Sequence, residues 1–105
     1  MPRTVLGVAT RGSPDNSEWV RQYKVMYTYD GYAWKDVDQG RVFDANTDNQ
    51  VLVRNDFVNP VTAIAVRICP LAWNNHISMK AEVYIELPVI GMDAGKDLEA
   101  VQPQK

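Results

Sequence analysis

One cysteine and one histidine are all that this 105-residue sequence holds of either type. A single thiol forms no intrachain disulfide, and one thiol with one imidazole falls short of a structural zinc site. Positive charge is also scarce: 11 Lys and Arg against 13 Asp and Glu leave a formal net charge of −2. That balance lacks the basic footprint of a nucleic-acid binder, so no nucleic-acid partner is expected. It gives no general attraction to anionic membranes either. No apolar run approaches the roughly 20 residues that span a bilayer, and a mean hydropathy of −0.31 predicts a soluble chain. The start, Met1-Pro2-Arg3-Thr4-Val5-Leu6-Gly7, shows no basic region, long apolar stretch or cleavage signal, so no secretory peptide is visible. Gly-rich phosphate loops, a G-x-S-x-G elbow and metal-spaced His pairs are all missing. These absences predict a protein that is not an enzyme and has no cofactor, metal or catalytic residues.

What the chain does hold is enough for one small core. Its hydrophobic content is 46%, with three Trp, five Tyr and two Phe, which argues against disorder. No segment carries a helical stripe. Thr4–Thr10 is short and β-branched and reads as a strand, followed by a polar loop over Arg11–Glu18. From Trp19 to Tyr29, residues Trp19, Arg21, Tyr23, Val25, Tyr27 and Tyr29 share one parity, the period of a half-buried strand. Asp30-Gly31 is a hairpin signal, with Tyr32–Val37 returning antiparallel. Asp38-Gln39-Gly40 reads as a turn, Arg41–Phe43 as a short strand and Asp44–Asn49 as a loop. A strand around Val51 and Val53 follows. Asn59-Pro60 is read as ending a loop, Val61–Cys69 as a strand closed by Pro70, and Leu71–His76 as a loop. Ile77–Leu87 alternates, with Ile77, Met79, Ala81, Val83 and Ile85 on one face and Ser78, Lys80, Glu82, Tyr84 and Glu86 on the other.

Short strands separated by turns predict an all-β fold, an antiparallel sandwich or barrel. Residues 1–87 are read as the domain and 88–105 as a tail, packed near Val89-Ile90. Trp19, Tyr23, Tyr27, Trp34 and Phe43 are expected in the core. Asp36 and Asp38 are expected to be solvated strand-end charges, and Asp44, Asn46 and Asp48 to form a turn, lacking the full ligand set of a calcium loop. Arg67 and Glu82, on consecutive strands, are read as a cross-strand ion pair.

Several segments together resemble one family. Trp19-Val20-Arg21-Gln22-Tyr23-Lys24-Val25, then Asp30-Gly31 and Trp34, is similar to the W-V-x-x-Y-x-V…D-G-x-x-W stretch of discoidin domains, also called coagulation-factor type C domains. Phe43, Asn46, Thr47 and Asp48 resemble the family's F-x-G-N-x-D. Phe57, Pro60 and Ala63–Pro70 resemble its F-x-P-P-I-x-A-R-Y-I-R-I-x-P, with Ile64 in place of the first Arg. Pro70–Tyr84 is similar to P-L-x-W-x-x-x-I-x-L-R-x-E-x-Y, with Lys80 in place of the Arg. The amoeboid discoidin lectins look closer than the clotting cofactors. The order holds from residue 2 to residue 84. The usual terminal Cys pair is absent, and the family's first strands are expected to be missing before Pro2.

The resemblance implies a discoidin-type sandwich, or distorted jelly-roll-like barrel, incomplete on its N-terminal side. It implies a non-catalytic ligand-binding module, recognising carbohydrate or glycoprotein in adhesion, in an extracellular or cell-surface setting. Alternatives are peripheral binding to anionic phospholipid, and a truncated piece acting in assembly. An uncovered sheet edge also points to a homo-oligomer. The resemblance places the 11–18 and 71–76 loops at one end. In the first loop Arg11, Asp15 and Asn16 are polar groups suited to sugar hydroxyls, and no apolar tip is present for a membrane. In the second, Trp73, Asn74, Asn75 and His76 combine an aromatic face with hydrogen-bonding groups. Plainer roles are packing at the barrel end for Trp73, turn formation for Asn74 and Asn75, and a structural imidazole for His76.

Overall fold

The computed structural model describes residues 1–86. Leu87, the tail expected over 88–105 and its packing near Val89 and Ile90 lie outside the described residues. Among the described residues seven strands run in order: β1 (Arg3–Arg11), β2 (Trp19–Thr28), β3 (Trp34–Asp36), β4 (Phe43–Asp44), β5 (Val53–Ala63), β6 (Ala65–Asn74) and β7 (Lys80–Glu86), with a 3-10 turn at Val37–Gly40. They form two antiparallel sheets. In one, β1 lies between β5 and β7. In the other, β2 pairs along its whole length with β6 and, on its opposite side, with β3 and β4.

Apolar side chains of β1, β2, β4, β5 and the 37–40 turn meet between the sheets: Val5, Val8, Val20, Tyr23, Val25, Val37, Phe43, Phe57 and Ala63. A run of rings crosses the interface. Tyr23 stacks on Phe43 at 5.7 Å, and Phe43 meets Phe57 at 6.0 Å. Each such side chain contributes about 1.5–3 kcal/mol by leaving water. The polar tip of Tyr23 is satisfied by the Asn55 side-chain amide at 3.1 Å, which also donates to the Asp44 carbonyl at 2.9 Å. Of the expected core aromatics, Tyr23 and Phe43 are buried, whereas Trp19, Tyr27 and Trp34 are half-buried.

Several expectations are corrected, each by a long-range cause. The single parity expected from Trp19 to Tyr29 breaks: Val20 and Tyr23 are both buried while Arg21 is exposed. Register shifts between Val20 and Tyr23 are responsible, since a bulge rotates the strand and re-aims its faces. Asn59-Pro60 does not end a loop but lies within β5. This strand is at a sheet edge, where proline's missing N–H is tolerated. Pro70 likewise fails to close its strand: β6 runs on to Asn74, with Leu71–Trp73 inside it, so the expected 71–76 loop shrinks to its last residues. The break falls instead at Ile64. Strand β7 starts at Lys80, leaving Ile77 outside it. Tyr84, expected on the polar face, is buried. The Arg54 guanidinium covers its ring at 3.9 Å and its hydroxyl donates to Glu82 at 3.0 Å.

Asp38 is not a solvated charge. Its side chain is only 5% exposed, and its carboxylate accepts the backbone N–H groups of Val58 and Asn59, each at 2.8 Å. Arg67 does not face Glu82, because β6 and β7 belong to different sheets. Its guanidinium lies 4.0 Å from the centre of the Trp34 ring.

Candidate functional site

Strand register brings three connections to one end of the sandwich. Thr10 pairs with Val53 and Arg11 with Lys80 in the first sheet, and Trp19 pairs with Asn74 in the second. The segments 12–18, 45–52 and 75–79 therefore emerge side by side.

Local turn chemistry shapes each one. In the first, the Ser13 hydroxyl accepts the N–H of Asn16 at 3.2 Å, and the Ser13 N–H donates to the Glu18 carbonyl at 2.9 Å. In the second, the Asp48 carboxylate accepts the N–H groups of Val51 and Gln50, both at 2.9 Å. Those two donors hold its pKa below the usual 3.8. In the third, Asn75 takes a left-handed φ of 65°, a conformation asparagine tolerates better than most residues.

Amide side chains then tie the segments together. The Asn49 side chain donates to the Ser13 carbonyl at 2.8 Å. Asn74 and Asn75 both donate to the Ser17 carbonyl, at 2.9 and 2.8 Å. Beneath them Asn46, 2% exposed, donates to the carbonyls of Thr10 and Val51 and accepts the Thr10 hydroxyl. Gly12 permits the close approach: a Cβ there would collide with the Glu18 carbonyl and sit 2.8 Å from the Trp19 Cβ.

The candidate residues divide accordingly. Asp15 and Asn16 are exposed on the first loop, and His76 is exposed on the third. Trp73 lies in β6 opposite Val20 and is 43% exposed, so part of its ring faces solvent. Asn74 and Asn75 each direct one side-chain N–H to the Ser17 carbonyl. Arg11 stands apart, lining a small cleft of about 90 Å³ with Leu52, Lys80 and Glu82, and none of the other candidates reaches it.

Sequence reading missed three features. Asn46 was expected in a turn and Asn49 at the end of a loop, yet their side chains bridge separate segments. A groove of about 500 Å³ beside the cluster is lined by Trp19, Arg21, Gln22, Asp44 and Thr47, and the Trp19 Nε1 is buried without a partner among the described residues. Finally, Val51, Leu52 and Ile77 are 57%, 42% and 53% exposed at this end. The adjacency of Val51, Leu52 and Val53 was the available signal, since a strand buries only alternate residues.

Residues 1–83 match the model of the F5/8 type C domain. The chain belongs to that family. The F5/8 type C domain is 37% identical over 84 residues to discoidin-2 of Dictyostelium discoideum, covering 80% of this chain and 32% of that protein. It is 38% identical over 88 residues to lactadherin of Sus scrofa, covering 77% and 22% respectively. Its fold is similar to the solved structure of recombinant discoidin II of Dictyostelium discoideum, with a TM-score of 0.80 at 33% identity over 89% of this chain and 36% of that one. The chain thus spans about a third of the length of the discoidins it matches. It is a discoidin-domain module related to the discoidins of Dictyostelium discoideum. Within this F5/8 type C domain the three tied segments form one continuous end surface, which makes it the candidate site.

Proposed function

We propose that this F5/8 type C domain binds carbohydrate or glycoprotein through its loop end, in adhesion or recognition at a cell surface. The observation that carries the reading is the double anchoring of the Ser17 carbonyl by Asn74 and Asn75. It holds the polar loop bearing Asp15 and Asn16 before any ligand arrives, and a pre-ordered loop loses less entropy on binding. Asp15, Asn16 and His76 then supply hydroxyl partners, Trp73 an aromatic face and Arg11 a peripheral charge, while Asn74 and Asn75 position the loop. Relatedness to the discoidin lectins supports the same ligand class. A glycan array tests it. Saturable binding that Asp15→Ala and Asn16→Ala weaken at unchanged Tm supports the reading, whereas binding untouched by both moves the site elsewhere.

A second reading, peripheral lipid binding, is favoured by exposed Val51, Leu52 and Ile77 at the same end, beside Arg11 and Lys80. Vesicle sedimentation distinguishes it: partition that survives physiological salt and falls in Leu52→Ser and Ile77→Ser would replace sugar by lipid. Weak partition is expected, because the net charge is −2 and three small apolar tips bury little area.

A further inference from the structure

The pole opposite the loop cluster carries a second recess. Here the C-terminal end of β2, the end of β3, the 37–40 turn and the Asn59–Thr62 stretch of β5 border an open cleft of about 480 Å³. An adjoining hollow of about 180 Å³ shares its Tyr27, Tyr29 and Lys35 walls. The register places this region far from the loops: Ala63 pairs with Arg3, at the end of β1 remote from Arg11.

Three observations distinguish the cleft from an ordinary surface hollow. First, Tyr29 is 61% exposed here, beside half-buried Tyr27, so an aromatic surface faces water. Second, the polar rim is uncommitted. Among the described residues, the side chains of Gln39, Asn59 and Thr62 make no hydrogen bond within the protein and Lys35 makes no ion pair. Asn74 and Asn75 at the loop end, by contrast, each have one side-chain donor on the Ser17 carbonyl. Third, the rim is held rigidly and under strain. Asp38 and Gln39 take φ of 49° and 59°, followed by Gly40 at 84°. The Asp38 carboxylate fastens this turn to Val58 and Asn59. Hydrogen bonds account for the strain at Asp38. They do not account for it at Gln39, whose exposed side chain lines the cleft. Strain retained at a rim of free polar groups is a feature of binding sites.

We propose that this cleft is a second carbohydrate site, independent of the loop end and selective for a neutral sugar. The chemistry is that of a pyranose: C–H groups of one ring face lie against tyrosine, and hydroxyls are met by groups that both donate and accept. Gln39, Asn59 and Thr62 do both, and Lys35 donates. Around the two hollows Asp36 is paired with Lys24 at 3.7 Å and Asp38 with Arg41 at 4.0 Å, which leaves Asp30 against Lys35. Without a surplus of positive charge the cleft suits a neutral sugar better than phosphate, sulfate or an acidic sugar. A module with a site at each pole would bridge two glycans as a monomer, gaining avidity without a partner chain.

The test is titration of isotope-labelled protein with lactose, maltose and N,N′-diacetylchitobiose, each followed by NMR at the side-chain amides of Gln39 and Asn59. Saturable shifts at both amides with at least one sugar are expected. Tyr29→Ala should weaken that binding about tenfold through loss of the aromatic face. Gln39→Gly should weaken it similarly while Tm holds or rises, since glycine takes the left-handed conformation without strain. Asp15→Ala should leave it unchanged. The proposal is overturned if none of the three sugars moves the two amides saturably, or if their binding persists at full strength in Tyr29→Ala and Gln39→Gly. Shifts confined to residues 12–18 would also overturn it while supporting the loop-end reading, so the two sites fail separately.

Discussion

The carboxylate of Asp38 accepts the backbone N–H of Asn59 at 2.8 Å, across 21 residues of sequence. With the matching bond from Val58 it stabilises a stretch of β5 that leaves the ladder: Val61 pairs with Val5 and Asp56 with Gly7, so Phe57–Pro60 stand opposite Leu6 alone. Removing the acceptor strands two donors. Asp38→Ala is expected to cost about 2 kcal/mol, and Asp38→Asn a comparable amount, because the two N–H groups use both carboxylate oxygens while an amide offers one acceptor and sets its NH2 against the other donor. The urea midpoint measures both. Equal midpoints for wild type and Asp38→Ala would show that water replaces the carboxylate without loss.

Asn46 satisfies the Thr10 hydroxyl and two carbonyls from a fully enclosed position. Asn46→Ala leaves those groups unpaired and should cost about 2–4 kcal/mol. Hydrogen exchange should quicken across residues 46–52 first, because the Val51 carbonyl loses its anchor. A uniform change along the chain would show that the asparagine only fills space.

Asn75 combines a left-handed backbone with a bond to Ser17. Asn75→Ala loses both advantages, whereas Asn75→Gly loses only the bond, so alanine should be worse by roughly 1 kcal/mol. Asn74 still holds the Ser17 carbonyl in either variant. The Asn74→Ala/Asn75→Ala double variant should therefore loosen the loop beyond the sum of the single effects, read as faster amide exchange at Asn16 and Ser17. Strict additivity would remove the shared-anchor explanation.

Acid should destabilise the fold through two exposed carboxylates. The Tyr32 and Ala33 N–H groups hold Asp30 below its ordinary 3.8, as those of Val51 and Gln50 hold Asp48. A depressed folded pKa means that the contribution is complete above the unfolded value. It fades as pH falls from there through the folded value. Asp48→Asn keeps an acceptor oxygen and does not titrate, so its Tm should fall less between pH 4 and lower values than that of wild type, about the range where free carboxylates protonate. Parallel curves would place the acid sensitivity elsewhere.

Much of the fold is legible in the chain because its causes are local. Val8, Tyr23, Val25 and Val53 lie in segments whose β-branched and aromatic residues favour extended backbone. Asp30-Gly31 forms its hairpin through contacts within four residues, with Gly31 at φ 89° and the Asp30 carboxylate on the Tyr32 and Ala33 amides. The single Cys69 and the ordered family motifs likewise need only the sequence.

Tertiary structure decided the rest. Nothing near Pro60 or Pro70 says that their strands continue. Strand β5 is an edge, and β6 is carried past Pro70 by its pairing with β2 as far as Trp19 opposite Asn74. Asp38 reads as a surface charge until the chain returns Val58 and Asn59 to it. Asn74 and Asn75 read as sugar contacts or turn residues, and only the fold shows that each sends a side-chain N–H to Ser17, 57 and 58 residues away. The physical reason is one of range. Backbone preference and turn geometry are settled within a few neighbours, but a polar group's partner depends on which distant segment the packed core brings within about 3 Å of it.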